Sequence, residues 1–334
     1  MTALSIPAAT LIVMRDRAGQ PPELLMVERS ATMAFAGGAM VFPGGRVDAS
    51  DEAAAADHDV PDAAARIAAI RETIEESAVA IGLSPTPDST RAAELALALH
   101  AGMPFANLLA AHDLAFDLAA LTLFARWKPA FHQPRIFDTL FFLAEAPPGE
   151  WHPTPQPGEC EAVLWIGAAE LLERIAATQA TAIFPTIRTL ERLAQFANVA
   201  EARADAAAHP IETITPWVEE VGGTPYLLIP EGLGYPVTRE PLDNVRRGFG
   251  AAAFPAAGPK PHPSRISHNR KRARADRREP HLASGSRRAY FRWLDRCLFI
   301  SNIVQLSLPK TFFNLSSARI SRLLAGFCRL FLRM

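Results

Sequence analysis

Six consecutive residues, Arg71-Glu72-Thr73-Ile74-Glu75-Glu76, place three carboxylates at i, i+3 and i+4 beside one guanidinium. On a helix those spacings share a face, and like charges so placed repel by about 0.2–0.5 kcal/mol per pair. Their convergence brings a gain only when cations occupy the space between them. Oxygen-only donor sets of this kind suit Mg²⁺ or Mn²⁺, which keep several waters and bind through a few carboxylates plus substrate phosphates. On spacing alone, a solvated acidic face is the commoner explanation. What surrounds the six residues shifts the balance.

The elements that must position them are legible. At 100° per residue, Ile67, Ile70, Ile74, Ala78 and Ile81 form one apolar stripe, while Glu72, Glu75 and Glu76 lie roughly opposite. Asp59 or Asp62 suits the helix start, Pro61 suits a first turn and Gly82 suits the end, so the spacing predicts a helix between Pro61 and Gly82. Upstream, the strand-like Glu23–Arg29 leads to Ala36-Gly37-Gly38 and then to Phe42-Pro43-Gly44-Gly45-Arg46-Val47-Asp48. Paired glycines after an apolar strand let backbone approach a ligand closely, or make a turn that needs positive φ. Either use fits the local sequence.

Together these pieces resemble the Nudix hydrolases, whose motif reads Gly-x5-Glu-x7-Arg-Glu-U-x-Glu-Glu-x-Gly-U with U aliphatic. Its second half stands here as Arg71-Glu72-Thr73-Ile74-Glu75-Glu76-Ser77-Ala78-Val79, with Thr73 at an aliphatic position and Ala78 at the glycine. The first half fits as Gly45-x5-Asp51, with Asp for Glu and about a dozen extra residues before the helix. Within that family the chain resembles the coenzyme A diphosphatase-like branch related to mammalian Nudix family member nineteen, in which an interrupted motif follows a Phe-Pro-Gly-Gly loop. Leu24-Leu25 with Arg29-Ser30, Gly38 with Phe42-Pro43-Gly44-Gly45, Trp127-x-Pro129, and Arg135-x-Phe137-Asp138-Thr139-x-Phe141-Phe142 carry that resemblance, which runs from about Ala9 to Phe196. Ala34 stands where the coenzyme A signature has a second Arg.

Composition sets the background. The 334 residues have a formal net charge of −1, and the length is enough for a large core in one or two domains. The neutrality hides an asymmetry: residues 1–254 hold 17 Lys and Arg against 32 Asp and Glu, and residues 255–334 hold 17 against 3. An acidic body argues against nonspecific nucleic-acid binding through the catalytic part, because duplex binding needs Lys and Arg to displace counterions. Cys160, Cys297 and Cys328 are too few and scattered for a disulfide framework or zinc site, so a reducing compartment fits. Met1–Ala9 has no basic region followed by a long apolar core, and no run of eighteen apolar residues occurs. The expectation is a cytoplasmic protein with no membrane span.

Taken in order, Thr10–Met14 and Leu24–Glu28 read as a hairpin forming one edge of a sheet, and Ala39–Phe42 as a short strand entering the Gly44-Gly45 loop. Ala49–Asp59 reads as a surface loop or short helix. After the Pro85-Thr86-Pro87 break, Arg91–His100 and Pro104–His112 are helical, an insertion over about 86–118 that also recurs in the branch named above. Lone histidines on Ala- and Leu-rich helices are usually packed or solvent-facing, so His100 and His112 are read that way rather than as ligands. Leu121–Trp127 and Ile136–Leu143 read as strands, and Trp127, Phe131 and His132 either line a pocket or belong to the core. Arg135 either grips a phosphate or pairs with Asp138. Glu159 and Glu161 precede a strand over Ala162–Ile166; Ala168–Thr178 and Thr186–Phe196 are helices by apolar spacing, and Ile211–Ile229 holds one or two strands. From Pro255 a linker-like stretch leads to the basic run Asn269–Arg278 and a Leu- and Phe-rich close at Ile320–Met334. An RNA- or membrane-binding arm is one reading; a non-native or disordered extension without a stable fold is the favoured one.

The expected architecture is therefore α+β: a mixed sheet between helical layers, the Nudix-type α/β/α sandwich that the resemblance implies, over residues 1–240, with a linker at 241–263 and a basic tail at 264–334. The resemblance implies Mg²⁺ or Mn²⁺ held by Glu72, Glu75 and Glu76, with Glu161 as the candidate ligand outside the motif. It assigns catalysis to Glu72 as base, with Glu76 and Arg71, and substrate contacts to Arg29, Gly44, Gly45 and Arg135. Arg71, one residue off the carboxylate face, is better placed to brace the loop through Asp51 or Asp48 than to touch substrate. The implied partner is a small nucleotide diphosphate, coenzyme A or an acyl derivative first, with NADH, ADP-ribose or a non-catalytic nucleotide sensor as alternatives; a homodimer is compatible with all of these.

Overall fold

The computed structural model describes residues 5–33, 36–129 and 136–249, with side chains described as far as Val245. Ala34, Phe131, His132, Arg135, most of the linker and the basic tail lie outside the described residues, so the expectations placed on them stay there.

Two long strands, β1 (Ser5–Arg17) and β2 (Gln20–Arg29), form an antiparallel hairpin through a two-residue turn. Contrary to the edge position expected from the sequence, they occupy the middle of the main sheet. β1 lies parallel to the later strand that pairs Ser5 with Ile136 and Met14 with Glu145, a partnership no local pattern announces. The short β3 (Ala39–Val41) pairs with β2, and β4 (Gly44–Arg46) pairs with β1 at Ala8–Thr10.

Next come α1 (Ala49–Ala55), α2 (Ala63–Ser77), the two-residue β5 (Leu83–Ser84), α3 (Ser89–His100), α4 (Phe105–Ala111) and β6 (Ala115–Phe116). Then β7 (Thr122–Trp127), β8 (Ile136–Glu145) and β9 (Cys160–Gly167) complete the body of the sheet, β9 pairing with β2. α5 (Ala168–Ala176), β10 (Thr181–Ala182), α6 (Phe184–Leu193), α7 (Val199–Ala208) and β11 (Thr213–Ile214) follow. A separate three-stranded sheet of β12 (Trp217–Val221), β13 (Thr224–Leu228) and β14 (Arg239–Pro241) precedes α8 (Leu242–Phe249). The main path runs β10-β3-β2-β1-β8-β7-β11.

The alternation of β1 explains the layering. Ala9, Leu11 and Val13 face a core shared with Ile67, Ile70 and Ile74 of α2 and with α3 and α4, while Ile12 and Met14 face a second core shared with α6, α7 and β13. Side chains of period two therefore fill both faces of a sandwich. The fold is the mixed-sheet α+β sandwich expected. Its packed part extends past residue 240, since Leu242 and Val245 are buried in the second core.

One of the two readings left open after Asp48 is taken, and one boundary differs from expectation. The stretch after Asp48 forms a helix, because Asp48 and Asp51 make a reciprocal capping box. α2 ends at Ser77 rather than near Gly82: Ala78 turns left-handed at φ +55°, and the Ser77 hydroxyl both donates to the Thr73 carbonyl and receives Val79 N–H.

Candidate active site

α2 buries its Ile stripe in the first core and turns Glu72 and Glu76 toward β4, which the pairing with β1 holds at the sheet surface, while Glu75 turns to Arg71. Glu76 is 4 % exposed, and its Oε2 accepts the backbone N–H of Gly44 at 3.0 Å. The Glu72 carboxylate lies against Gly45 so closely that a Cβ there would overlap it. The paired glycines are thus needed for close approach: Gly45 leaves room for Glu72, and Gly44, at φ +155°, passes against the Ala9–Thr10 backbone.

Arg71 is the hub of the opposite charge. Its Nε and Nη2 form a two-pronged contact with Asp51 at 3.0 and 2.9 Å, and Nη2 also donates to the Arg46 carbonyl at 3.1 Å. Its Nη1 reaches Glu75 at 2.8 Å and Glu72 at 3.0 Å. Asp51, almost wholly buried, spends its second oxygen on Asp48 N–H as well. Arg71 therefore ties α1, the end of β4 and two of the three carboxylates together. Burial alone would lower the Arg71 pKa, but the bonds to Asp51 and the charges of Glu72, Asp51 and Glu75 more than reverse this and raise it.

One guanidinium does not balance the acids. Burial, opposed by Arg71 and helped by Glu75, pushes Glu72 up to about 7. Burial and the neighbouring Glu72 push Glu76 up to about 8, against the Gly44 bond and the Arg29 charge. Burial raises Glu75 too, opposed by Arg71 and His100. Neighbouring carboxyls that resist ionisation suit a divalent cation, which would favour their charged forms. Among the described residues no three acidic, His or Cys side chains stand gathered as a finished metal site, and Glu75 in particular is drawn to Arg71.

The other expected site residues divide. Arg29, at the end of β2, is close enough for its charge to act on Glu76; its Nε is buried with no hydrogen-bond partner among the described residues, and Nη2 lies 3.8 Å from Met33 Sδ. Glu161 is exposed, and its Oε1 accepts the Ser30 hydroxyl at 2.9 Å. The Glu159 carbonyl accepts Ser30 N–H, and the Glu159 charge also raises Glu76. Cys160 is buried nearby, its thiol pushed up to about 12 by burial and the Glu76 charge. Arg135 is outside the described residues; Asp138, its expected partner, is engaged by Arg126 at 2.7 Å and Lys128 at 3.0 Å. Trp127 belongs to the core: it is 1 % exposed, donates to the Tyr235 hydroxyl at 3.0 Å and meets Phe184 edge-on.

The fold is thus a mixed-sheet sandwich in which an acidic helix meets a double-glycine strand, Glu76 on Gly44 N–H and Glu72 against Gly45. No family model matches the chain. A Nudix hydrolase from Alicyclobacillus acidocaldarius is 32% identical over 61% of this chain and 97% of that one, with a TM-score of 0.53. The chain belongs to the Nudix hydrolases, enzymes that act on diphosphate anhydrides. Two further structures are more distant. The Nudix domain of Shewanella oneidensis NrtR, complexed with ADP-ribose, is 13% identical over 60% and 89% of the two chains with a TM-score of 0.35. A C. elegans Ap4A hydrolase is 16% identical over 50% and 84% with a TM-score of 0.28. Neither likeness is close enough to carry an argument about substrate. Among the described residues no helix is long and apolar enough to cross a membrane.

Proposed function

We propose that this enzyme hydrolyses the diphosphate of coenzyme A or an acyl derivative, giving adenosine 3′,5′-bisphosphate and (acyl-)phosphopantetheine. The observation that carries the hydrolytic part is the burial of Glu72 and Glu76 against Gly45 and Gly44 with too little positive charge to balance them. Glu72, Glu75 and Glu76 would hold Mg²⁺ or Mn²⁺, with Glu161 the candidate beyond the helix. The cation would neutralise diphosphate charge and acidify water. Glu72, with a pKa raised toward neutrality, is suited to take a proton from the attacking water. Gly44 N–H fixes Glu76, while Arg71 holds Glu72 and Glu75 on one side and α1 on the other. Arg29 supplies positive charge beside Glu76, where a substrate phosphate would need it, and Arg135 is the second proposed phosphate contact.

The coenzyme A choice draws support from Arg29-Ser30 and Phe42-Pro43-Gly44-Gly45, which the β2–β3 and β1–β4 pairings bring to the same carboxylates. The test is a product assay on the full chain with Mg²⁺ against coenzyme A, acetyl-coenzyme A, NADH, ADP-ribose and dinucleoside polyphosphates. Coenzyme A or its acetyl ester should give the highest kcat/KM. A preference for NADH or ADP-ribose would move the substrate and keep the chemistry; binding of these nucleotides without products would make the domain a sensor.

A further inference from the structure

We infer that the helical insertion serves the active site, with His100 as a positioning residue for the acidic helix. Resting on the reading above that Glu72, Glu75 and Glu76 hold a divalent cation, the inference starts from the end of α2. The last carbonyls of a helix lack partners within it. Here Ile74 is served by Ala78 N–H at 2.9 Å, and Ser77 by Thr154 N–H at 2.9 Å from the loop before β9. The carbonyl of Glu75 is served by His100 Nε2 at 2.9 Å, from the last residue of α3. A carbonyl only accepts, so Nε2 carries the proton and donates.

Two foreign elements thus close the end of the helix that presents Glu75 and Glu76, and the insertion contributes one of them. α3 itself is anchored: Ala92, Leu95, Ala96 and Leu99 are buried in the first core with Ile70 and Ile74, and Asp88 caps its start by accepting Arg91 N–H at 2.8 Å. His100 therefore comes from a rigid support and reaches the backbone of a carboxylate residue whose side chain Arg71 holds from the other direction. Outer partners that fix a ligand's orientation typically govern metal affinity by about 10- to 100-fold.

Mn²⁺ binding to the full chain, followed by the loss of its free electron-spin-resonance signal, tests this without turnover. His100→Ala should weaken Mn²⁺ binding by about 10-fold, and His100→Gln, which retains a side-chain N–H, should recover most of it. Asp88→Ala, which weakens the far end of the same helix, should lower Tm and leave Mn²⁺ affinity unchanged. Wild-type affinity in His100→Ala, equal loss in His100→Gln, or equal loss in Asp88→Ala would overturn the positioning role while the cation site stands. Absence of Mn²⁺ binding by the wild-type chain would remove both the site and the inference.

Discussion

Oε2 of Glu76 accepts the backbone N–H of Gly44 at 3.0 Å, joining the end of the acidic helix to the double-glycine strand across 32 residues of sequence. A glutamine in place of Glu76 keeps an oxygen for that bond but removes the charge. Glu76→Gln should therefore retain its circular dichroism spectrum and lower kcat by about 10²-fold or more, the usual loss for a preorganised electrostatic group. Wild-type turnover in that variant would remove Glu76 from the machinery.

The neighbouring glycine makes a steric prediction. A Cβ at residue 45 would overlap the Glu72 carboxylate, and moving that carboxylate aside would give up its contact with Arg71 Nη1 at 3.0 Å. Gly45→Ala should cost about 1–3 kcal/mol of stability, the range for overpacking a tight site, and reduce kcat as Glu72 is displaced. Urea titration and steady-state kinetics measure the two effects. An alanine variant with normal stability and rate would show that the contact is looser than described.

Arg71 and Asp51 invite a double-mutant cycle. The two-pronged contact is nearly sealed from water, with side-chain exposures of 9% and 1%, so removing one partner strands the other charge. Arg71→Met should destabilise by about 3–5 kcal/mol. Adding Asp51→Leu should restore part of this loss, whereas independent sites would give additive losses. Arg71 also restrains Glu72 and Glu75, so the double variant should regain stability without regaining activity.

The Ile67, Ile70 and Ile74 stripe, the opposed carboxylates and the Gly44-Gly45 approach were legible because each follows from spacing within one element or its neighbour. The hairpin's central place was not, since it depends on β1 lying parallel to β8, over a hundred residues away. The end of α2 depends on the Ser77 hydroxyl and on a left-handed Ala78, where Gly82 was the stronger local signal. His100 carried no signal at all: its role comes from the packing of α3 on α2, and from the sequence it looks like any histidine on an Ala- and Leu-rich helix.

Glu72 and Glu76 should also make stability depend on pH and metal together. In the fold both carboxyls lie above the ordinary 4.5, near 7 and near 8, chiefly because of burial. A group with a raised folded pKa favours the fold below its unfolded value, and that contribution is lost as pH climbs through the folded value. With chelator present, Tm should therefore fall between about pH 5 and about pH 9. A cation that binds the ionised carboxylates competes with those protons, so the Tm gain from Mg²⁺ should grow with pH, and binding at neutral pH should release protons detectable by calorimetry in buffers of different ionisation enthalpy. Glu191, pushed up to about 7 by burial and the Glu240 charge against the pull of Arg188, tilts Tm in the same direction. Glu191 lies outside the site, so Glu76→Gln should diminish both the Mg²⁺-dependent gain and Glu76's own share of the fall in chelator, while the Glu191 share stays in place. If the Mg²⁺ gain were the same across the pH range, or survived intact in Glu76→Gln, these carboxyls would not be what the cation binds.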